Sequence, residues 1–155
     1  PNGVIKTDYT KLQRSTVLYD HKDRAFQLRG KIDAYIDHKT FFSIIDFKVT
    51  NISEKKSITY MTQLNSYALM FEKPNQNSLK LYPVKNLGIY CFEPNNLKID
   101  NLPQLEMVTQ YFAIKRDDDF YLKFITSVID FLEGDIPDFT PGCSICDIKS
   151  QSFQK

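Results

Sequence analysis

Residues 30–48 read GKIDAYIDHKTFFSIIDFK and carry the clearest strand pattern of the chain. Apolar and polar residues alternate on both sides of a polar segment at residues 37–40, which predicts two antiparallel strands joined by a turn. Charged side chains interrupt these strands at Asp33, Asp46 and Lys48. Charges inside strands lower stability unless they have a partner or a function. The three charges are therefore candidates for a functional site.

The register of this hairpin decides how close the two aspartates lie. If Ile36 pairs with Phe41, Asp33 and Asp46 are offset by one step along the same face. If the loop consists of residues 39–40 alone, the two aspartates lie directly opposite each other. Both registers put the carboxylates on one face, with Cβ atoms roughly 5 to 8 Å apart. At that distance they raise each other's pKa unless a cation lies between them.

Two neighbouring carboxylates with room for water suit Mg²⁺ or Mn²⁺. Lys48 projects to the same side as Asp46, where it could position a water and stabilise charge on a phosphate. The alternative is that both aspartates face solvent and that Lys48 is a cross-strand salt-bridge partner. The apolar surroundings of Asp46 in FFSIIDFKV, residues 41–49, argue against solvent exposure and favour a functional interpretation.

Strand-like patterns precede the hairpin and a helical pattern follows it. Strands are predicted at residues 15–20 and, as one long run, at residues 25–37, with a turn at residues 21–23. One face of the long run would comprise Phe26, Leu28, Gly30, Ile32, Ala34 and Ile36. A helix is predicted at about residues 57–72. Its buried stripe would comprise Ile58, Met61, Leu64, Ala68 and Phe71.

Two further strands and a second helix complete the pattern. LGIYCF at residues 87–92 predicts a buried strand, and residues 107–114 predict another. A helix is predicted at about residues 118–133, ended by Gly134 and Pro137. Its inward side chains would be Leu122, Ile125, Val128, Ile129 and Leu132. This order of elements predicts mixed α/β architecture in a single domain over residues 1–155.

Composition excludes several classes of protein. The chain has 155 residues, 42% of them hydrophobic and 25% charged, which is typical of a globular domain with a real core. No apolar run approaches the ~20 residues of a membrane helix, so we expect no membrane partner and a cytoplasmic location. The net charge of +1 does not by itself predict a polyanionic partner. The first residue is Pro1 rather than Met, which suggests a piece of a longer protein.

The three cysteines do not indicate a disulfide framework. Cys91 lies inside an apolar run, which is typical of a buried free thiol. Cys143 and Cys146 lie in the polar C-terminal tail. An odd number of cysteines favours a reducing intracellular compartment.

Gln63 and Tyr67 stand at positions i and i+4 of the first predicted helix, within QLNSY. They share a helical face beside the buried stripe. An amide that donates and accepts, together with a phenol hydroxyl, suits contacts to a phosphate oxygen or to water beside a metal. The alternative for this pair is an ordinary polar boundary on an amphipathic helix.

Taken together, GKID at residues 30–33, IIDFK at residues 44–48 and QLNSY at residues 63–67 resemble the PD-(D/E)XK nuclease superfamily. The resemblance is to its RecB-like branch, which includes the nuclease domains of RecB and AddB helicase–nucleases, and it is close over residues 28–72. It implies a restriction-endonuclease-like core, with a mixed central β-sheet flanked by helices. It further implies DNA cleavage that depends on Mg²⁺ or Mn²⁺, an exonuclease-type role in DNA repair or recombination, and fusion to or association with a helicase.

The resemblance also assigns roles to individual residues. The two acidic metal ligands and the catalytic lysine of the family match, in order, Asp33, Asp46 and Lys48. Phe47 would offer its backbone carbonyl to the metal, as the residue between acid and lysine does in the family. Gln63 and Tyr67 match the QxxxY motif, which implies contacts with the substrate.

Two features depart from the family pattern. Members usually carry a His or Glu metal ligand on a helix before the sheet; either His21 substitutes here or that residue lies before Pro1, and we expect the second. Several RecB-like nucleases also hold an iron–sulfur cluster, and PGCSICDIK resembles the start of the cysteine-bearing tail. A cluster needs four ligands, and Cys143 and Cys146 have no companions nearby in the sequence. We therefore expect no iron–sulfur cluster.

Two alternatives to an active metal-dependent nuclease stay open at this point. One is a catalytically impaired nuclease fold that binds DNA or protein. The other is a generic interaction domain in which the motifs are coincidental, which predicts that Asp33 and Asp46 face apart. The geometry of the hairpin distinguishes the second alternative from the nuclease interpretation.

Overall fold

A computed structural model of the chain describes residues 3–7, 12–51, 53, 59–99 and 102–135. Its central strands are β1 Val4–Lys6, β6 Ala34–Asp37, β7 Phe42–Val49, β8 Val84–Lys98 and β9 Gln104–Ile114. Four short strands are β2 Gln13–Arg14, β3 Leu18–Tyr19, β4 Ala25–Phe26 and β5 Arg29–Gly30. The helices are α1 Met61–Glu72 and α2 Asp118–Glu133. Neither described helix is long and apolar enough to cross a membrane.

The central sheet has the strand order β1-β6-β7-β8-β9 and is mixed. Strands β7 and β8 are parallel, whereas the other neighbours are antiparallel. Parallel strands need a crossover, and α1 lies within the connection between β7 and β8. Helix α1 packs on these two strands and α2 packs on α1. This confirms the predicted mixed α/β fold with a restriction-endonuclease-like core.

The core lies between α1 and the sheet. Leu64, Ala68 and Phe71 of the predicted helical stripe are buried, and Met61 is half-buried. Residue 58 lies outside the described residues. Their partners on the sheet include the buried side chains of Ile44, Leu87, Ile89 and Cys91. Cys91 is buried and free, as predicted, whereas Cys143 and Cys146 lie outside the described residues.

The prediction of one continuous strand over residues 25–37 is wrong. The chain forms β4, β5 and β6 there, and each pairs with a different partner strand. Leu28 and Ile32 join the core under α1, but Ala34 and Ile36 line a cavity on the opposite side of the sheet. The apolar side chains therefore switch from one face of the sheet to the other at the bend around Asp33. Before this bend, β5 pairs with β2 and is not part of the central sheet.

Helix α2 begins and ends where the sequence predicts, but its buried face differs. The Asp117 side chain caps it by accepting a hydrogen bond from the Phe120 backbone N–H at 3.0 Å. Tyr121 is its buried side chain, and the inward position predicted for Leu132 is wrong because Leu132 is 72% exposed. The last turns of α2 instead form ion pairs with the β3–β4 hairpin, and one of these joins Asp130 to Arg24.

Replacing Asn65 with Leu is expected to lower the free energy of unfolding by about 2 to 4 kcal/mol. The Asn65 side chain is fully buried, donates to the backbone carbonyls of Met61 and Lys115, and accepts from the Asp117 N–H at 2.7 Å. A leucine of similar size removes the partner of the Asp117 N–H and of the Lys115 carbonyl at the junction of α1 and α2. Urea unfolding measures the change, and Thr62→Leu on the same helix, where the side chain is half-buried, is the control. Equal stability of the two variants would contradict this account.

Candidate active site

The β6–β7 hairpin has the register that places the two aspartates opposite each other. Ala34 pairs with Ile45, so the next position along each strand brings Asp33 beside Asp46. The His38 N–H donates to the Phe41 carbonyl at 3.0 Å, which leaves a two-residue loop. Lys39 in that loop has a φ of 70°. The alternative of a generic interaction domain predicts that Asp33 and Asp46 face apart, and this prediction is therefore wrong.

Asp33 lies at the bend just before β6, and its side chain reaches the backbone of β7. Its Oδ2 accepts a hydrogen bond from the Phe47 N–H at 2.8 Å. The N–H and C=O of one strand residue point toward the same neighbouring strand. The Phe47 carbonyl is therefore directed toward Asp33 as well, beyond the Ala34–Ile45 pair where the β6–β7 ladder begins.

Asp46 is a carboxylate in an almost fully buried position, with 2% of the residue exposed. The Lys48 Nζ lies 2.5 Å from Asp46 Oδ2, but this contact lacks hydrogen-bond geometry, so Oδ2 has an ion pair without a hydrogen bond among the described residues. Asp46 Oδ1 accepts a long contact of 3.5 Å from the Gln63 amide. Burial raises the pKa of Asp46, Lys48 opposes this, Asp33 adds to it, and the net pKa is raised.

Lys48 is half-buried between a carboxylate and an aromatic ring. Burial alone would lower the pKa of Lys48, but the Asp46 carboxylate outweighs this and the pKa is raised, so the ammonium stays charged. The Nζ also lies 5.1 Å from the centroid of the Tyr60 ring, a cation–π distance. Tyr60 is not among the site residues that the sequence predicts. The one sequence feature that could have indicated Tyr60 is that an aromatic residue stands directly before α1.

Helix α1 directs its polar pair at the buried carboxylate. The Gln63 amide donates to the Tyr67 hydroxyl at 2.8 Å and lies beside Asp46. Tyr67 is buried, and this burial raises the pKa of its phenol. Gly30 of the GKID segment leaves room for the Tyr67 ring, because a Cβ there would lie 3.0 Å from Tyr67 Cε1. The structure thus brings the hairpin charges and the helical pair together.

His21 is not part of this group. It lies in the turn between β3 and β4 and faces α2, with its Nε2 3.4 Å from Asp119 and its backbone N–H donating to Thr126. The alternative in which His21 completes the metal site is therefore not supported. Within the described ranges, no three His, Cys, Asp or Glu side chains are grouped closely enough to hold a metal ion.

The residues present nevertheless fit Mg²⁺ or Mn²⁺. Mg²⁺ is usually held by one or two carboxylates, several waters and substrate phosphates. Asp33 and Asp46 supply two carboxylates, and the Phe47 carbonyl points to the same place. Asp46 Oδ2 lies against the Lys48 ammonium but has no hydrogen bond in the part of the chain that the structure describes, so this buried anionic oxygen can also accept a metal ion.

If the site cleaves DNA, as the resemblance to nucleases implies, Tyr60→Leu should slow cleavage by about 10-fold and Tyr60→Phe by less than 3-fold. The ring, not the hydroxyl, holds the Lys48 ammonium, so phenylalanine keeps the contact and leucine loses it. Steady-state kinetics at saturating Mn²⁺ measures the effect, which we expect in kcat rather than KM. Identical rates for the two variants would show that Tyr60 does not position Lys48.

The sequence profile of the PD-(D/E)XK nuclease superfamily matches residues 5–151. No curated protein shows significant sequence similarity to the chain. A solved crystal structure, that of SSO0001, is similar with a TM-score of 0.49 and 16% identity. The match covers 94% of this chain and 58% of SSO0001, so the chain spans little more than half of that protein.

Proposed function

Because the chain belongs to the PD-(D/E)XK nuclease superfamily, a nuclease fold whose members generally use divalent metals, we propose that it is a DNA nuclease dependent on Mg²⁺ or Mn²⁺. One observation carries the proposal: Asp46 is a buried carboxylate that faces Asp33 and, among the residues that the structure describes, has only Lys48 to balance its charge. A purely structural ion pair would not need a second carboxylate beside it. A metal site that accepts a phosphate does need this second carboxylate.

Each side chain has a role in phosphodiester hydrolysis under this proposal. Asp33, Asp46 and the Phe47 carbonyl would hold the ion, which supplies a nucleophile at neutral pH and neutralises phosphate charge when bound. Lys48 places a fixed positive charge beside the phosphate oxygens, on which negative charge develops in the transition state. Its raised pKa keeps it charged for this role.

Gln63 and Tyr67 orient the substrate phosphate on the helix side of the site. The Gln63 amide donates to the Tyr67 hydroxyl oxygen, which fixes the amide and leaves the phenol O–H available to donate. Burial of Tyr67 raises its phenol pKa, so the hydroxyl keeps its proton and can donate to a phosphate oxygen. The exonuclease-type role in DNA repair or recombination, the RecB-like branch and the helicase partner are further proposals. They rest on the match of residues 30–33, 44–48 and 63–67.

A second candidate function rests on one observation. The described residues supply two carboxylates but no third side-chain ligand. A nuclease fold with a weakened metal site would bind DNA or protein without cutting. This candidate predicts weak or absent metal binding, whereas the nuclease predicts binding that depends on Asp46.

Calorimetric titration with Mn²⁺ separates the two candidates. We expect the wild-type chain to bind Mn²⁺ and the Asp46→Ala variant to lose this binding. Asp119→Ala is the matched control, because Asp119 is an exposed carboxylate on α2. Cleavage assays on linear and circular DNA then test the exonuclease role, which predicts that only linear DNA is degraded. Absence of Mn²⁺ binding by the wild-type chain would overturn the nuclease proposal for this chain and favour the binding module.

A further inference from the structure

The sheet face turned away from α1, here called the outer face, holds a cavity of about 830 Å³. Ligand sites for small molecules have volumes of about 300–1,000 Å³ and mostly apolar walls. Aromatic rings form much of the lining, namely those of Phe41, Phe47, Tyr90, Phe92 and Tyr111. Asp46 and Lys48 alternate with Phe47 along β7, so they lie on the other side of the sheet, beside α1. The cavity is therefore separate from the candidate active site.

Cations line one end of this cavity, where β7 and β8 begin and β9 ends. They are Lys85, Lys115 and Arg116, and no carboxylate is among the described residues of the lining. Lys85 forms no ion pair with any residue that the structure describes, and its Nζ lies 5.4 Å from the centroid of the Phe41 ring. Lys115 pairs with Asp117, but its side chain is 77% exposed and such pairs contribute little. Arg116 is held by two carboxylates. The two lysines are therefore free to hold one anionic group.

A hydrogen-bonded group of polar side chains lies at the same end of the cavity. The Asn86 amide donates to Ser43 Oγ at 3.1 Å, and His38 Nε2 lies 2.9 Å from the same oxygen. Ser43 is buried, whereas Asn86 is exposed and follows Lys85 in the chain. Amide and imidazole groups can donate and accept hydrogen bonds, which suits a ligand with hydroxyls or ring nitrogens. A hydrocarbon ligand has no group to match this end.

Tyr111 lies across the sheet at the position of Gly88. A Cβ at Gly88 would lie 2.2 Å from the Tyr111 hydroxyl oxygen, so glycine is what lets this ring lie so close to the sheet. Tyr111 is 46% exposed, and part of its surface is therefore open to a ligand. Register places Tyr90 between Tyr111 and Phe47 on the outer face. Nucleobases of every type stack on such rings.

The position of the cations favours one phosphate over a strand of phosphates. Farther along β7 and β8, the outer face presents uncharged side chains, which include Ile45, Phe47, Tyr90 and Phe92. A nucleic acid strand carries a phosphate at every nucleotide and needs cations along its path. A small ligand with one anionic end and a flat aromatic body matches lysines at one end and rings beyond them.

We propose that this cavity binds a single nucleotide, with its base against Tyr111 and Tyr90 and its phosphate at Lys85 and Lys115. The choice of a nucleotide among aromatic anions rests on the proposed function, because hydrolysis of DNA yields nucleotides that end in a phosphate. Binding at the cavity requires neither a metal ion nor the Asp46 carboxylate. It can therefore be tested separately from cleavage.

Calorimetric titration of the full chain with deoxyadenosine monophosphate, in buffer that contains EDTA, tests the proposal. We expect the wild type to bind it, and binding about 10-fold weaker both for deoxyadenosine, which lacks the phosphate, and in the Lys85→Met variant. Lys80→Met is the matched control, because Lys80 is an exposed lysine that does not line the cavity. Asp46→Ala should bind the nucleotide as the wild type does.

Substitution of Tyr111 tests the contact with the base. Tyr111→Ala should weaken binding of deoxyadenosine monophosphate at least about 5-fold, because the stacking ring is lost. Tyr111→Phe keeps the ring and should keep most of the affinity. Circular dichroism confirms that each variant folds.

Three results would overturn the proposal. If the wild type does not bind deoxyadenosine monophosphate, the cavity is not a nucleotide site, and the nuclease proposal, which is tested with Mn²⁺ and Asp46→Ala, is unaffected. If Asp46→Ala abolishes binding and Lys85→Met does not, the nucleotide occupies the active site instead. If an octamer of deoxyadenylate binds and the monophosphate does not, the outer face holds a strand rather than a single nucleotide.

Discussion

Replacing Asp46 with Asn is expected to reduce DNA cleavage about 10³-fold or more while the fold is retained. Asparagine keeps the shape of the side chain but removes the charge that the metal and Lys48 require. Asp46 is almost fully buried and its pKa is raised, so the folded protein gains little from this charge without a metal. The Lys48 side chain is 24% exposed and still feels the charge of Asp33 when Asp46 is neutral, so we expect a change in unfolding free energy of within about 1 kcal/mol. Initial rates with Mn²⁺ and urea unfolding measure the two effects.

The control for this variant is Asp37→Asn. Asp37 belongs to the same hairpin, where its Oδ1 accepts a hydrogen bond from the Lys39 N–H at 2.7 Å, but it lies at the loop end. It should cleave DNA at a rate close to that of the wild type. Cleavage by Asp46→Asn at the wild-type rate would show that the buried carboxylate has no catalytic role.

The hairpin shows what its sequence can and cannot specify. Alternation of apolar residues was enough to place Asp33, Asp46 and Lys48 on one face in either register. The choice between the registers depended on the loop, where Lys39 adopts a left-handed φ of 70° that no Gly or Asn signals. The residue types in the loop do not predict this conformation, because lysine rarely adopts a left-handed φ.

Long-range pairing explains the other differences. The predicted strand at residues 87–92 stops where Glu93 and the polar residues after it begin, yet β8 continues to Lys98 because β9 pairs with it. Apolar patterning cannot reveal a strand that lies in solvent on both sides. The contact of Tyr60 with Lys48 likewise depends on how α1 docks on β7, and local sequence does not encode that docking.

The Lys48→Met variant is expected to lose both cleavage activity and stability, whereas Asp46→Asn is expected to lose cleavage activity alone. The variant leaves the Asp46 carboxylate buried without its cation, and loss of one partner of a buried ion pair costs about 3 kcal/mol of unfolding free energy. Cleavage should fall about 10²- to 10³-fold, because the positive charge facing the phosphate is gone. Urea unfolding in metal-free buffer and initial cleavage rates measure the two losses.

The double variant Asp46→Asn with Lys48→Met separates structure from chemistry. Removing both charges should restore most of the stability that Lys48→Met loses, because no buried charge stays unpaired. It should not restore cleavage. Addition of Mn²⁺ should stabilise Lys48→Met more than the double variant, since only the single variant keeps the carboxylate that would hold the ion. If Mn²⁺ stabilises both variants equally, the ion does not bind at Asp46, and the Asp46–Lys48 pair is a structural ion pair only.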